Sequence, residues 1–223
     1  MFQDIENELT IKLVELKIWL RNLKDDRESQ IDRGFYFVYI YGIFEWFVTS
    51  VVKRTIEKIN ESNSTIDELI YDIYPLIFSR EFDSIYKAGN ATKWEKRARI
   101  SERLNKNDIV HIDDLLPTDG RNIQKKQLES IALVFGLKDS AFPNDECQGY
   151  LVEAVENRNH IAHGDESPAE VGKRFTVKDL IKNETKIEEL SLYILEEYEQ
   201  YINNKDFLRK KIPEMNKNRQ AIK

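Results

Sequence analysis

The sequence predicts an all-α fold. Glycine and proline are scarce, with 8 and 5 of the 223 residues, so the chain has few of the turns that a β sandwich or a glycine-looped α/β fold needs. Apolar residues recur at three- and four-residue steps in one segment after another, as in amphipathic helices. Hydrophobic residues make up 41% of the chain, which is enough to build a core. We therefore expect a bundle of long antiparallel helices.

The first two helices are predicted by their hydrophobic patterns. An apolar stripe marks the first, formed by Ile5, Leu9, Leu13, Leu16, Leu20 and Leu23. The second, about 33–59, is apolar on most sides, as in a central helix or one at a subunit interface. Its segment 34–52 has the length of a membrane span, but Glu45 would lie near mid-bilayer. We therefore predict a buried helix and no membrane association.

The later helices are predicted by their end signals. Ser64 or Thr65 can cap a short helix that Pro75 ends or kinks. The segment 80–105 is partly helical with a break at 89–90, and 115–120 reads as a turn. A helix ending at Gly136 and another starting after Asn144 or Asp145 follow. That helix reaches Gly164, Pro168 indicates that it does not continue, and the last helix covers 177–203.

The charge distribution divides the chain. The predicted domain is 1–203, with 80–119 as an elaboration and 204–223 as a basic tail. The segment 80–106 has a net charge of +4 and 205–223 of +5, whereas the whole chain is at −6. Basic surface on an acidic protein favours phosphate contacts, although such a run is also typical of a solvated helix face. The candidate RNA-binding residues are Lys93, Lys96, Arg97, Arg99 and Arg103, with Tyr86 and Trp94 as stacking surfaces.

Several chemistries lack their sequence signals. The only cysteine is Cys147, which excludes an intramolecular disulfide and a cysteine zinc cage and favours a reducing, cytoplasmic location. The N-terminal residues show neither a basic region nor an apolar region of a secretory signal. No phosphate loop, His-Glu-x-x-His, Gly-x-Ser-x-Gly or Cys-x-x-Cys pattern is present. With three histidines, a multi-histidine metal site is not expected, and no cofactor is predicted.

The informative string is Glu156-Asn157-Arg158-Asn159-His160-Ile161-Ala162-His163-Gly164. On a continuous helix Arg158 and His163 would lie about 140° apart. A helix end at Gly164 puts His163 on the last turn, where its ring can swing toward Arg158. A permanent guanidinium charge and an imidazole that titrates near neutrality suit metal-free phosphodiester cleavage. That chemistry favours RNA, whose 2′-hydroxyl is a built-in nucleophile.

These residues resemble the motif of the HEPN superfamily (higher eukaryotes and prokaryotes nucleotide-binding domain). Its members are all-helical and carry Arg, usually followed by a polar residue, with four to six residues between Arg and His. The longer context, Arg-Asn-x-Ile-Ala-His-Gly at a helix end with a long helix after it, is similar to prokaryotic HEPN proteins of toxin–antitoxin and phage-defence loci. The resemblance covers the motif and the helical order over most of the chain.

The resemblance implies a homodimer in which two Arg/His pairs share a cleft, and a metal-independent endoribonuclease that leaves 2′,3′-cyclic phosphate and 5′-hydroxyl ends. Arg158 would bind the phosphate and its transition state, and His163 would be the general base or acid. Asn159 would orient or contact the phosphate. Glu45 is the candidate for the acidic residue that some family nucleases take from an earlier helix. An antitoxin protein is a further implied partner.

Other interpretations stay open at this point. His163 can be a C-terminal helix cap, and Arg158 can pair with Glu156 or a glutamate of the last helix. Glu45 can be a carboxylate satisfied by a buried partner. His160 reads as a surface residue paired with Glu156. At the level of function, the alternative to a ribonuclease is a non-catalytic helical module that binds nucleic acid or a protein.

Overall fold

The computed structural model describes residues 1–113, 116, 122–137 and 140–210. This part of the chain is mostly helical and contains no sheet, which confirms the all-α prediction. Two short 3₁₀ helices, Ile66–Glu68 and Tyr71–Ile73, lie between the second and third α-helices. The α-helices are α1 (Gln3–Asn22), α2 (Gln30–Glu61), α3 (Tyr74–Ile77), α4 (Ser79–Tyr86), α5 (Lys93–Lys106), α6 (Lys125–Phe135), α7 (Asp145–His163), α8 (Pro168–Gly172) and α9 (Val177–Asn203).

Helix α2 is the centre of the bundle and packs against α1, α7, α8 and α9. Aromatic side chains supply much of its buried surface, among them Tyr36, Phe37, Phe44 and Phe47. Among the described residues, α2 is also the helix whose length and composition would allow it to cross a membrane. However, 56% of its most apolar window is buried inside the molecule, and core helices of soluble proteins share this property.

The helix ends follow the predicted signals. Gly136 and Gly164 end α6 and α7 with φ of 67° and 75°, values that glycine adopts without strain from a Cβ atom. Asn144 caps α7, because its side chain accepts a hydrogen bond from the Cys147 amide. A capping box at Thr176 begins α9. These local signals therefore operate in the folded chain as they do in isolated helices.

Helix α7 ends at His163, before Pro168, as expected, but the two prolines predicted to mark helix breaks each also begin a short helix. Pro75 lies in the first turn of α3 and Pro168 in the first turn of α8. Proline fits a first helical turn because its missing N–H would have no intrahelical acceptor there. At α8 a capping box between Ser167 and Glu170 supports the same start. The chain after Gly164 therefore includes a short helix that the sequence did not predict.

Helices α2 and α8 are in unusually close contact. A Cβ atom placed on Gly172 would lie 1.9 Å from the carbonyl oxygen of Gln30, and one on Gly34 would lie 1.9 Å from that of Pro168. The buried Arg33 extends the contact, since its Nε donates to the Gly172 carbonyl oxygen at 3.1 Å. Glycine at 34 and 172 thus lets α8 pack directly on the backbone of α2.

The segment predicted to be an elaboration contains a helical hairpin. We call α4 and α5 with their connection (79–106) the basic hairpin. After it the chain returns to the end of α2, where Asn60 exchanges two hydrogen bonds with the backbone of Ile112, at 2.9 and 2.8 Å. The turn expected at 115–120 lies outside the described residues, apart from Leu116.

The first residues of the predicted tail also pack on the body. Phe207 is buried, and the Arg209 amide donates to the Glu68 carbonyl oxygen at 2.8 Å. The Arg209 side chain donates to the carbonyl oxygen of Leu69 at 2.6 Å. The rest of the tail, 211–223, lies outside the described residues.

Candidate active site

The motif lies on the last two turns of α7, whose end is closed by its own backbone. The Gly164 amide donates to the Ile161 carbonyl oxygen, and the Asp165 and Glu166 amides donate to that of His160 at 2.9 and 3.2 Å. This pattern satisfies carbonyls that would otherwise have no donor at a helix end. His163 is therefore on the final helical turn, as the position of Gly164 predicts.

Arg174 holds the chain that follows the motif. Its guanidinium donates to both carboxylate oxygens of Glu166, at 2.8 and 3.0 Å, and to Oδ1 of the buried Asn157 at 2.8 Å. Bidentate arginine–carboxylate pairs fix both partners in orientation. The turn between α7 and α8 is thereby tied to α7, and α8 is tied to α2 at Gly172.

Arg158 is half-buried and points across α2. Its guanidinium carbon lies 5.2 Å from the centre of the Tyr41 ring, and Nη1 donates to Oδ1 of Asn159 at 3.0 Å. It forms no ion pair with any carboxylate in the described part of the chain, so the pairing with Glu156 or a glutamate of α9 is not observed. The other N–H groups of the guanidinium have no acceptor among the described residues, and they remain available to an anion.

Asn159 connects Arg158 to the segment before α6. Its Oδ1 accepts a second hydrogen bond from Nδ2 of Asn122 at 2.6 Å. With Oδ1 engaged twice, its Nδ2 is the free end of the amide and donates to no described residue. The side chain can therefore present a hydrogen-bond donor beside the guanidinium.

Tyr41 brings Glu45 into the same neighbourhood. Its hydroxyl donates to Oε1 of Glu45 at 3.1 Å and accepts from the Ile123 amide at 2.8 Å. Burial, reinforced by the negative charge of Glu45, raises the pKa of Tyr41 well above its usual value, so the hydroxyl stays protonated and acts as the donor to Glu45. Glu45 itself is half-buried. Glu45 thus has a tyrosine partner, as expected for a satisfied carboxylate. It also shares Tyr41 as a neighbour with Arg158, as the catalytic hypothesis requires.

His163 differs from these residues because it is exposed at the surface. Its ring has no hydrogen bond or ion pair to a described residue, Arg158 included. His160, on the same helix end, is also exposed, and its Nδ1 lies 3.9 Å from Asp165 and 4.0 Å from Glu166. The structure therefore groups Arg158, Asn159 and Glu45 around Tyr41, and leaves His163 free one and a half turns further along α7.

The candidate RNA-binding residues of α5 fall into two sets. Lys96 and Arg103 face α4: Lys96 donates to the Ser84 carbonyl oxygen at 3.1 Å, and Arg103 pairs with Glu81 at 2.5 Å. Arg99 pairs with Glu95 at 3.4 Å on the surface. Lys93 has no ion pair in the described part of the chain. The first set, with partners inside the hairpin, is therefore Lys96, Arg99 and Arg103. The second set, without a carboxylate partner among the described residues, is Lys93 and Arg97; the guanidinium carbon of Arg97 lies 4.6 Å from the Trp94 ring centre.

An exposed apolar face leads along α2 to the site. Ile31, Phe35, Val38, Gly42 and Glu45 follow one another at four- and three-residue steps, and we call them the α2 stripe. The three apolar side chains are 52%, 46% and 37% exposed, and a Cβ atom on Gly42 would meet nothing within 4 Å. Beside the stripe, a groove of about 750 Å³ runs between α1 and α2, lined by Trp19, Tyr39 and Trp46 among others.

Two residues of the site were missed by sequence reasoning. Tyr41 carried a usable signal, because it lies four residues before Glu45 and therefore on the same face of a helix. Asn122 carried none, since its partner lies 37 residues away. Among the described residues, no group of three or more His, Cys, Asp or Glu side chains can hold a metal ion.

The helical bundle and the motif at the end of α7 define the class of the protein: it contains a HEPN-superfamily domain. A family model described as RiboL-PSP-HEPN matches residues 3–204, so the chain belongs to that family. The match spans the basic hairpin as well as the long helices. Membership indicates a nuclease or RNA-related function. No significant match was found among curated proteins or solved structures.

Proposed function

We propose that this protein is a metal-independent endoribonuclease with Arg158 and His163 as its catalytic pair. The observation that carries the proposal is the environment of Arg158: a half-buried guanidinium without a described carboxylate partner, held by Asn159 and the Tyr41 ring. A structural arginine in such a position is normally paired. A cation with free N–H groups suits an incoming phosphate, and the exposed His163 lies at the end of the same helix.

In this proposal, His163 takes the proton of the RNA 2′-hydroxyl, and the 2′-oxygen attacks the adjacent phosphorus. The bond to the 5′-oxygen breaks, and a protonated imidazole returns a proton to that oxygen. The guanidinium of Arg158 and the free amide nitrogen of Asn159 donate to the non-bridging oxygens as charge develops on them. Glu45, which accepts from the Tyr41 hydroxyl, is the acidic residue that the proposal adds to this pair. The products carry 2′,3′-cyclic phosphate and 5′-hydroxyl ends.

We further propose that the active form is a homodimer that packs through the α2 stripe. The stripe is continuous with Glu45, and a two-fold axis near Gly42 would bring two Arg158 and two His163 residues to one cleft. An exposed face of this size and apolarity is typical of a protein interface. Gly42 permits a close approach of two α2 helices because it adds no side chain. This arrangement supplies the imidazole that Arg158 lacks within one chain.

The proposal is tested by cleavage of labelled tRNAs and total RNA in EDTA. His163→Ala should slow cleavage by roughly 10²–10⁴-fold, the range for loss of a general acid–base group. Arg158→Ala should slow it by about 10²–10³-fold through loss of charge stabilisation. Arg158→Lys should recover only part of the loss, since an ammonium lacks the planar fork. The 2′,3′-cyclic phosphate ends are identified by their resistance to phosphatase. The 5′-hydroxyl ends are identified by direct labelling with a polynucleotide kinase.

His160→Ala is the matched control, because His160 is a second exposed histidine on the same helix end. It should cleave like the wild type. A wild-type protein that cleaves no RNA as a verified dimer, or a His163→Ala protein with unchanged rate, contradicts the proposal. The non-catalytic binding module would then be the better description.

We propose a biological role as a cytoplasmic toxin or phage-defence effector, restrained by an antitoxin protein. This role is supported by the likeness of the motif to HEPN proteins of such loci. Induced expression in a bacterial host should stop growth with the wild-type chain and not with His163→Ala. Equal growth with both chains at equal expression contradicts a toxin role.

A further inference from the structure

The basic hairpin is built differently from the rest of the molecule. Neither α4 nor α5 contains a buried residue. The two helices are held together at their surface, by Arg103 with Glu81 at 2.5 Å and by Lys96 with the Ser84 carbonyl oxygen at 3.1 Å. At the base, Arg80 pairs with Asp113 at 2.5 Å. The hairpin is therefore an arm on the outside of the bundle. It contacts the edge of the core through Ile100 and through Arg103, whose guanidinium carbon lies 5.1 Å from the Phe78 ring centre.

Two aromatic side chains of this arm face solvent. Tyr86 is 87% exposed and Trp94 is 75% exposed, the highest values among the large hydrophobic side chains of the described residues. A tryptophan in this position gains nothing from core packing, and large exposed aromatics are typical of binding surfaces. Arg97 lies against the Trp94 ring at 4.6 Å, which leaves the other face of the indole open.

The charge around these rings selects the ligand. The segment 80–106 carries eight basic and four acidic residues in a chain with a net charge of −6. Of the basic residues, Lys96 and Arg103 have partners within the hairpin and Arg80 pairs with Asp113 at its base, whereas Lys93 and Arg97 have no carboxylate partner among the described residues. A positive arm on an acidic protein attracts a polyanion. Aromatic rings interleaved with free cations are the features that bind bases and phosphates together.

We infer that the basic hairpin binds a single-stranded segment of RNA, with bases stacked on Trp94 and Tyr86 and phosphates at Arg97 and Lys93. The strand must be single because bases within a duplex have no free face for an aromatic ring. The inference rests on the proposed function only in naming RNA as the nucleic acid. It assigns the hairpin to substrate capture, away from the chemistry at Arg158.

Binding is measured by fluorescence anisotropy with a labelled 12-nucleotide 2′-O-methyl RNA of mixed sequence. The methyl group blocks the 2′-nucleophile, so this readout does not depend on cleavage. Trp94→Ala and Tyr86→Ala should each weaken binding by roughly 5- to 150-fold, the range for loss of one stacked base. Arg97→Gln should reduce the slope of log K against log salt by about 0.7, as for one lost phosphate contact on a single strand.

Tyr71→Ala is the matched control, because Tyr71 is a 67% exposed tyrosine with an arginine, Arg209, 4.0 Å from its ring centre. It should bind the oligonucleotide like the wild type. When the same strand is annealed to its complement, the Trp94→Ala protein should bind the duplex as tightly as the wild type does, because paired bases cannot stack on the ring. Circular dichroism melts confirm that each variant is folded.

The inference is overturned if Trp94→Ala and Tyr86→Ala bind the single strand as tightly as Tyr71→Ala does. It is also overturned if no variant, the wild type included, binds with a dependence on salt; a protein ligand would then explain the hairpin. Binding that depends on Trp94 in a protein that cleaves nothing supports this inference and contradicts the proposed function. Cleavage that depends on His163, together with binding that does not depend on Trp94, supports the proposed function and contradicts this inference.

Discussion

At the scale of single residues, Tyr41 is the connection between the parts of the candidate site. Glu45 and Arg158 form no ion pair, and each contacts Tyr41 separately, one at the hydroxyl and the other at the ring. The hydroxyl also accepts a hydrogen bond from the Ile123 amide, and the neighbouring Asn122 lies within hydrogen-bond distance of Asn159. Tyr41 thus positions an acid, a cation and an amide without touching the reacting atoms.

Tyr41→Phe removes one hydroxyl and keeps the ring under Arg158. The buried Ile123 amide loses its acceptor, so we expect the free energy of unfolding to fall by about 1–3 kcal/mol. Glu45 loses its donor, and we expect RNA cleavage to slow by roughly 10- to 100-fold, as for a displacement of about 1 Å. Urea denaturation and cleavage rates on the same preparation measure the two effects.

Tyr36→Phe is the control for this prediction. Tyr36 lies on the same helix, and its buried hydroxyl donates to Oδ1 of Asn183 at 2.9 Å. We expect a similar loss of stability with an unchanged cleavage rate. Equal rates for both variants would show that Tyr41 has only a structural role.

At the scale of elements, the end of α7 depends on a helix that lies outside the motif. Helix α8 packs on the backbone of α2 through Gly34 and Gly172, and Arg174 ties the chain beyond it to Asn157 within α7. The end of α7 that carries His163 is therefore attached to α2 at two points, through Tyr41 under Arg158 and through α8. A helix of only five residues can hold the end of α7 in place because it contacts α2 backbone to backbone.

Gly172→Ala tests this contact. The added Cβ would lie 1.9 Å from the Gln30 carbonyl oxygen, so α8 must move away from α2. We expect a loss of about 3 kcal/mol in the free energy of unfolding, at the upper end for overpacking, and slower cleavage at a temperature where the variant is folded. Urea denaturation measures the first effect.

Gly149→Ala is the comparison, because the added Cβ on this exposed glycine of α7 would meet nothing within 4 Å. A glycine in a helix interior costs about 0.5–1 kcal/mol relative to alanine, so this variant should be more stable than the wild type. If both glycine variants change stability in the same direction, the close contact of α2 and α8 does not govern this region.

At the scale of the whole molecule, two exposed surfaces stand out, and we propose that they divide the function. One is the face of α2, where the apolar stripe runs to Glu45 and to the site around Tyr41. The other is the basic hairpin, which carries positive charge and exposed aromatics on an acidic chain. In the proposals above, the first joins two copies and completes the catalytic centre, and the second captures the strand to be cut.

Phe35→Glu tests the proposed dimer. A carboxylate in the middle of the α2 stripe would face its own symmetry mate, so we expect a monomer by size-exclusion chromatography with light scattering, together with loss of cleavage. Leu133→Glu is the control, because Leu133 is 70% exposed on α6 and lies away from α2; it should leave both properties unchanged. A monomeric Phe35→Glu protein with full activity contradicts a shared cleft.

The sequence by itself determined the all-α class, most helix ends and the motif. Helix periodicity, Asn144, Gly136 and Gly164 act within one or two turns of the chain, and interactions of such short range can be read along the sequence. The same local rule identified Arg158 and placed His163 on the last turn. It correctly ended α7 before Pro168, and it missed the short helix that the Ser167 capping box begins there.

Only the tertiary structure decided which residues surround Arg158. Tyr41 reaches it from a distant part of the chain. Glu45 is joined to Tyr41, and Asn122 to the neighbouring Asn159, through the packing of the helices. It also separated Lys96 and Arg103, which brace the hairpin, from Lys93 and Arg97, which face outward. The physical reason is the same in both cases: a side chain's partners depend on how the helices rotate and pack, and the sequence of one chain specifies that only through the whole core.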